Sequence, residues 1–425
     1  MAGPQRPRQA SWRVNLTSML LLAVLGAVGV LFRLNFVVSS QGVAGETPVH
    51  LMKLRHVDTG LRTENSVHTE SPATTSRAVA QVAQPVESRR TVVLIANYRD
   101  SFRCAETLHS LFTQADFPDL LAISLFDQLY LHENETRCYD TYCAKVGEAT
   151  CRRHQLRFNE TIDADTATGP TMARYRTEHG IDLAIDTFSM AIDSHLVFVP
   201  HWDTDVKAQW DSIENPNAVV TAYPRSTVAM PKSGDWSEVK SRKQSQLMCT
   251  ARIETEDADA MIQYGATKAV PRPAKPQLMS QFAGGFNFGT AKQALEVRND
   301  PYTPYLFHGE EYSKAARLFT HGYDMYIPIR DIAFHWYEKR NVIWEKDWGN
   351  RYVIQQQSKR RVRKVLGLPI TSDDYDDTDI DKFGLGTKRT FAQFQAFSGI
   401  DPLASYVGKD SGQFNVCREL KYVPY

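Results

Sequence analysis

Asp193-Ser194-His195 follows directly on Phe188-Ser189-Met190-Ala191-Ile192, a short apolar run of strand character. In extended backbone, residues i and i+2 point to one side of the chain. The Asp193 carboxylate and the His195 imidazole can therefore face one ion while Ser194 faces away. A carboxylate with an imidazole suits Mn²⁺ or a similar divalent metal better than Ca²⁺. Asp-x-His pairs are common at surfaces and helix caps, so the pair gains weight from its place beyond a strand, where open α/β sheets bind ligands. Arg174 and Arg176, ahead of the strand, can bring positive charge to phosphates or to a sugar, or lie on an exposed helix face.

A second cluster runs from Phe282 to Tyr337. Ala283-Gly284-Gly285-Phe286-Asn287-Phe288-Gly289 offers small residues where backbone can approach a sugar closely. Phe307-His308-Gly309-Glu310-Glu311 sets two carboxylates in an aromatic neighbourhood. Ile332-Ala333-Phe334-His335-Trp336 ends an apolar strand on a histidine and an aromatic, which suits a third metal ligand beside a sugar platform. A UDP-sugar donor accounts for a metal at such a place. Its departing diphosphate gains charge as the glycosidic bond breaks, and a divalent cation stabilises that charge without proton transfer.

The elements that must hold these residues read as an α/β domain. Thr91-Val92-Val93-Leu94-Ile95-Ala96 is a continuous β-branched run, as in a strand buried on both faces. A helix follows, with Cys104, Leu108, Leu111, Phe112 and Ala115 on one side behind an Asp100 or Ser101 cap. Leu120 to Phe126 is a second buried strand, and strand-helix-strand in close order implies a parallel sheet. A helix is predicted over 173–185, then the strand ending at Asp193, then a further helix and the strand Ala218-Val219-Val220-Thr221-Ala222. The result is a Rossmann-like nucleotide domain with a mostly parallel central sheet. It carries neither G-x-G-x-x-G nor a P-loop, so dinucleotide and ATP chemistry lose their usual support. Gln355 to Leu366 is a basic helix, expected to be a solvated face, and Asp373 to Asp377 a surface loop.

Lys+Arg and Asp+Glu are equal at 49 each, which gives no case for nucleic acid as a partner. Leu16 to Phe32 is uncharged, and Arg6, Arg8 and Arg13 precede it. An uncleaved signal anchor over 16–38 is expected, with a cytosolic tail over 1–15 and the rest of the chain lumenal; a cleaved signal peptide is the rival. Residues 39–90 read as a flexible stem and 91–425 as the lumenal catalytic domain. All six cysteines lie beyond the anchor, where disulfides form. Cys138, Cys143 and Cys151 are close enough for one or two, with a zinc site as the alternative. Sequons at Asn134 and Asn159 agree with lumenal exposure.

Three segments in order resemble the polypeptide alpha-N-acetylglucosaminyltransferases, the family of Skp1-hydroxyproline and trypanosome mucin-type GlcNAc-transferases. They are Gly169-Pro170-Thr171-Met172-Ala173-Arg174 leading into Ile192-Asp193-Ser194-His195, then Gly284-Gly285-Phe286-Asn287-Phe288, then His308-Gly309-Glu310-Glu311 through His321-Gly322-Tyr323-Asp324 to Phe334-His335. More distantly the chain is similar to mucin-type polypeptide GalNAc-transferases, without a lectin-like C-terminal module. The resemblance implies a GT-A fold, a UDP-sugar donor, Mn²⁺ and retention of configuration. It casts Asp193, His195 and His335 as metal ligands and Arg174 as a donor contact. Gly284 and Gly285 then line the sugar, Glu310 or Glu311 orients donor and acceptor, and Arg99 and Asp100 lie near the nucleotide. The expected activity is transfer of GlcNAc from UDP-GlcNAc to a hydroxyl, on Ser or Thr of secretory or mucin-like glycoproteins, at the Golgi membrane. The rivals are a UDP-galactose or UDP-GalNAc transferase acting on a protein or glycan hydroxyl, and an inactive glycan-binding membrane protein.

Overall fold

The computed structural model describes residues 88–338 and 348–425. The expected tail and anchor, and the stem up to residue 87, lie outside them. Among the described residues no helix is long and apolar enough to cross a membrane. The first strand starts slightly ahead of Thr91, at Arg90. Arg89 is buried and grips Asp211 with two hydrogen bonds of 2.7 and 2.6 Å.

The first half of the chain alternates strand and helix. Strand β1 (Arg90–Tyr98) leads to α1 (Ser101–Thr113), β2 (Leu121–Leu129), α2 (Cys138–Val146), β3 (Leu156–Asp163), α3 (Pro170–Thr177) and β4 (Asp186–Asp193). β1 and β2 are apolar on both faces because helices cover both sides, and every residue of β2 is buried. β1 pairs in parallel with β2 and with β4, and β2 with β3. α1 turns Cys104, Leu108, Leu111 and Phe112 inward, and a Cys104–Cys138 disulfide ties it to α2.

Short elements follow: β5 (Leu196–Phe198), α4 (Trp202–Ser212), β6 (Ala218–Thr221), β7 (Arg225–Ser226) and α5 (Ser237–Lys240). Then come β8 (Gln244–Leu247), β9 (Thr250–Ile253), β10 (Ile262–Tyr264), β11 (Lys268–Pro271), β12 (Gln277–Met279) and β13 (Phe286–Thr290). The last part comprises α6 (Ala291–Glu296), α7 (Glu310–Thr320), β14 (Asp324–Ile327), β15 (Ala333–His335), α8 (Trp348–Val365), α9 (Phe391–Ser398) and β16 (Phe414–Asn415). The central sheet has the order β12-β14-β6-β13-β4-β1-β2-β3. It is an α/β sheet, mostly parallel as expected; β13, inserted antiparallel between β4 and β6, and β12 at the edge are the exceptions. One apolar core packs α1, α2 and α4 against the sheet, and a second surrounds α7, α9, β9 and β14.

Two expectations need correction. The helix over 173–185 starts earlier, at Pro170, and stops at Thr177. Glu178 turns inward to accept from Asn299 N at 3.0 Å and Nδ2 at 2.6 Å. Gly180 passes so close to β2 that an added Cβ would stand 2.4 Å from Ser124 Oγ. The basic helix α8 is not a solvated face. Arg361 pairs with Asp300, Lys359 with Glu254, and Arg363 donates to the carbonyls of Pro369 and Ala260. All three are buried. The cysteines, in contrast, pair as disulfides as expected, and the zinc alternative falls. Cys143–Cys151 and Cys249–Cys417 complete the pairing, and among the described residues no cysteine is free. The acidic loop after α8 is exposed as expected, and so are both sequon asparagines.

Candidate active site

Asp193 is the last residue of β4, and His195 stands two residues on, just before β5. The fold brings His335 to them through β15, which pairs antiparallel with β5 so that His335 lies opposite Leu196. One ligand atom from each of Asp193, His195 and His335 lies within 4.8 Å of the others. His335 Nε2 is 3.2 Å from Asp193 Oδ2, and the two imidazoles meet edge to face at 4.5 Å. Burial pushes the Asp193 carboxyl up, but the His335 hydrogen bond and the charges of Arg174 and His195 outweigh it and hold the group well below the usual carboxylate range. An ionised carboxylate flanked by two imidazoles is the donor set of a divalent metal site.

Arg174, on α3, bridges two carboxylates. One Nη lies 3.3 Å from Asp193 Oδ1, and the other donates to Glu310 Oε1. Glu310 and Glu311 form the first turn of α7, entered through Gly309 at φ +93°. Glu311 Oε1 accepts from the Gly284 amide at 2.8 Å, and its Oε2 accepts from Tyr223 Oη. The two glycines are pressed against side chains of the site. A Cβ on Gly284 would stand 2.7 Å from an Arg174 Nη, and one on Gly285 2.4 Å from Asp193 Oδ2. The Asp193 amide donates to the Gly285 carbonyl at 2.9 Å, which locks the Gly-Gly segment to the end of β4.

The remaining expected residues take other places. Asp100 Oδ2 stands 3.4 Å from His195 Nδ1 and is itself gripped by Arg103. It is placed to orient the imidazole from behind, as outer partners of metal-binding histidines do. Arg99, at φ +48°, pairs with Glu133 and Glu135 and lies over the Tyr130 ring at 3.5 Å. Arg176 is held by both oxygens of Glu160 on β3. Thus Arg174, Glu310, Glu311, Gly284, Gly285, Asp193, His195 and His335 converge, Asp100 stands one layer out, and Arg99 and Arg176 spend their charge on local glutamates. Sequence reasoning missed Tyr223, and it named Tyr337 only as the end of the second cluster. Tyr337 packs on His335 at 4.0 Å and donates to the Pro224 carbonyl at 2.8 Å. Its only signal was its place two residues after His335.

Residues 131–404 match the family model described as Glycosyltransferase (GlcNAc). The chain belongs to that glycosyltransferase family. The match takes in every converging residue and leaves out β1, α1 and β2, and with them Arg99 and Asp100. No curated sequence matches. Among solved structures, GalNAc-T7 with UDP, GalNAc and Mn²⁺ is 13% identical at a TM-score of 0.46, over 72% of this chain and 56% of that one. The S. aureus TarS 1–349 structure is 12% identical at 0.38, and its complex with UDP-GlcNAc 13% identical at 0.37. Each of these two covers 69% of this chain and 70% of the other. This glycosyltransferase is thus assigned to its family by the sequence match.

Proposed function

We propose that this glycosyltransferase transfers GlcNAc from UDP-GlcNAc to a hydroxyl acceptor, with retention of configuration, in a GT-A-type domain. The observation that carries this reading is the convergence of Asp193, His195 and His335 beside Arg174 and the Gly284-Gly285 segment. The donor set fits Mn²⁺: Asp193 is held ionised and each histidine brings an imidazole nitrogen. Bound there, the ion supplies charge stabilisation for the departing diphosphate. Arg174 adds fixed positive charge on the same side. Gly284 and Gly285 leave room for the sugar.

The acceptor we propose is a Ser or Thr hydroxyl of secretory or mucin-like glycoproteins. It is reached by a domain over 91–425, tethered through the stem 39–90 and the type II anchor 16–38 to the Golgi membrane. The exposed sequons and the paired cysteines support a lumenal setting. Retention through a covalent intermediate needs a free carboxylate on the far face of the sugar. Glu310 is engaged by Arg174, and Glu311 by Tyr223 and Gly284. This favours attack from the face that UDP leaves, with both glutamates as positioning groups.

UDP release from a panel of UDP-sugars by the purified full chain tests the reading. UDP-GlcNAc preferred, only with a divalent metal, is the expected outcome. Preference for UDP-galactose or UDP-GalNAc moves the donor, and no turnover with any donor sinks the enzyme reading. A beta-linked product overturns retention. A tag at the N-terminus that stays accessible to protease in sealed microsomes is expected for the anchor; a protected tag removes it.

A further inference from the structure

Tyr223 lies just past β6, in none of the segments that carry the family resemblance. Its Oη donates to Glu311 Oε2, across 88 residues of sequence. The other oxygen, Oε1, takes the Gly284 amide at 2.8 Å. One carboxylate thus joins the exit of β6 to the entry of β13. Gly284 is pressed against Arg174 and Gly285 against Asp193, so a small shift of this segment reaches both groups. Although part of the residue meets solvent, the Glu311 carboxylate lies deep, and burial pushes it up against the pull of Tyr223 and Gly284. A carboxylate so placed needs both of its donors, because an unmatched buried oxygen costs more than the bond itself gains. The next residue serves the other side of the site. The Pro224 carbonyl receives Tyr337 Oη, and Tyr337 packs on His335.

We propose that Tyr223 is a positioning residue that acts through Glu311 to fix the Gly284-Gly285 segment, and so governs the fit of the sugar half of the donor. The proposal rests on the donor reading above for its functional half only. Without its hydroxyl, Glu311 Oε2 has no donor, the carboxylate can turn, and the Gly284 amide loses a fixed acceptor.

Two measurements on the full chain test it. In Tyr223→Phe, hydrogen–deuterium exchange in the metal- and donor-free protein should rise in peptides covering 282–286 while β6 and β4 stay protected. UDP-GlcNAc with Mn²⁺ should bind about tenfold more weakly, the order expected for one hydrogen bond to a charged group, while UDP with Mn²⁺ binds as before. Unchanged exchange over 282–286 overturns the structural link. Equal weakening of UDP and UDP-GlcNAc overturns the role in sugar fit. In a Glu311→Ala background the same Tyr223→Phe change should add nothing to the exchange; an added effect there shows that Tyr223 works by another route. If the unsubstituted protein binds no UDP-sugar, the donor reading fails, and the exchange comparison still decides the positioning role.

Discussion

The two oxygens of Asp193 are differently employed: Oδ1 stands 3.3 Å from Arg174 and Oδ2 3.2 Å from His335. Replacing this group, or His195, removes one third of the donor set without opening the main core. Asp193→Ala and His195→Ala should each cut Mn²⁺-dependent turnover by about a thousandfold, since the ion's charge stabilisation is worth several kcal/mol. Melting temperatures should stay near that of the parent; turnover close to the parent's in either variant removes the metal assignment. Glu311 carries a second prediction. Burial raises its carboxyl from 4.5 to about 7 in the folded state. The fold binds this proton more tightly than the unfolded chain, so the associated stability is full below pH 4.5 and is lost as pH rises through 7. Glu311→Gln lacks that loss. The melting temperature of the variant minus that of the parent should therefore increase between pH 4.5 and 7; a flat difference refutes the buried-carboxyl account. At this scale the sequence showed Asp193 and His195 because their spacing just beyond an apolar strand offers a carboxylate and an imidazole to one ion; in the structure Ser194 and His195 make the bend between β4 and β5. It did not show Asp100 behind His195 or Tyr223 behind Glu311. Those contacts join distant segments, and neither residue sits in a local pattern that announces its partner.

Elements deliver these residues with little slack. α7 begins at Gly309, whose φ of +93° and 2.5 Å distance from a built Cβ to Met261 Cε exclude a side chain. Gly309→Ala should cost about 2 kcal/mol of stability through backbone strain and crowding. It should also reduce activity, because Glu310 and Glu311 open the helix that follows. Denaturant unfolding with a parallel UDP-release assay measures both, and an unchanged unfolding midpoint counts against the strained entry. The strands β1, β2 and β4 were legible as mainly apolar runs, interrupted in β2 and β4 only by the small Ser124 and Ser189, since parallel strands covered on both faces leave no polar alternation. α3 was misjudged in length because its stop is tertiary: Glu178 is drawn to the Asn299 backbone and Gly180 to Ser124. α8 was misjudged in setting for a related reason. Its basic residues are matched by acids and carbonyls supplied from far along the chain, Asp300 and Glu254 among them. Charge alone cannot say whether its partner is water or a distant carboxylate.

On the scale of the whole molecule, the C-terminal part closes on the middle. β16 adds to β9, and Cys417 is bonded to Cys249 across a separation of 168 residues. Chain entropy credits such a loop with about 5 kcal/mol, and native disulfides commonly contribute roughly 2–4. Replacing both cysteines by serine should therefore lower the unfolding free energy by about 2–4 kcal/mol while Asp193, His195 and His335 stay together. Denaturant titration reads the first and Mn²⁺ binding the second; loss below about 0.5 kcal/mol would show that β16 is held by its other contacts. The tail beyond Cys417 has anchors of its own. Tyr422 and Tyr425 lie over Arg389 at 5.3 and 4.9 Å, covering its ion pair with Asp324, and Tyr425 Oη receives Asn217 Nδ2 at 2.6 Å. The same arrangement sets an order of events on the ribosome. β1 to β4 can pair as they emerge, but β9 keeps an open edge and Cys249 a free thiol until Cys417 has been made, 168 residues later. At roughly 5–20 residues per second this wait lasts about 10–30 s. Cys104, Cys138, Cys143 and Cys151 are already present then as wrong partners, so productive folding depends on those four pairing among themselves first, or on an isomerase that undoes the error.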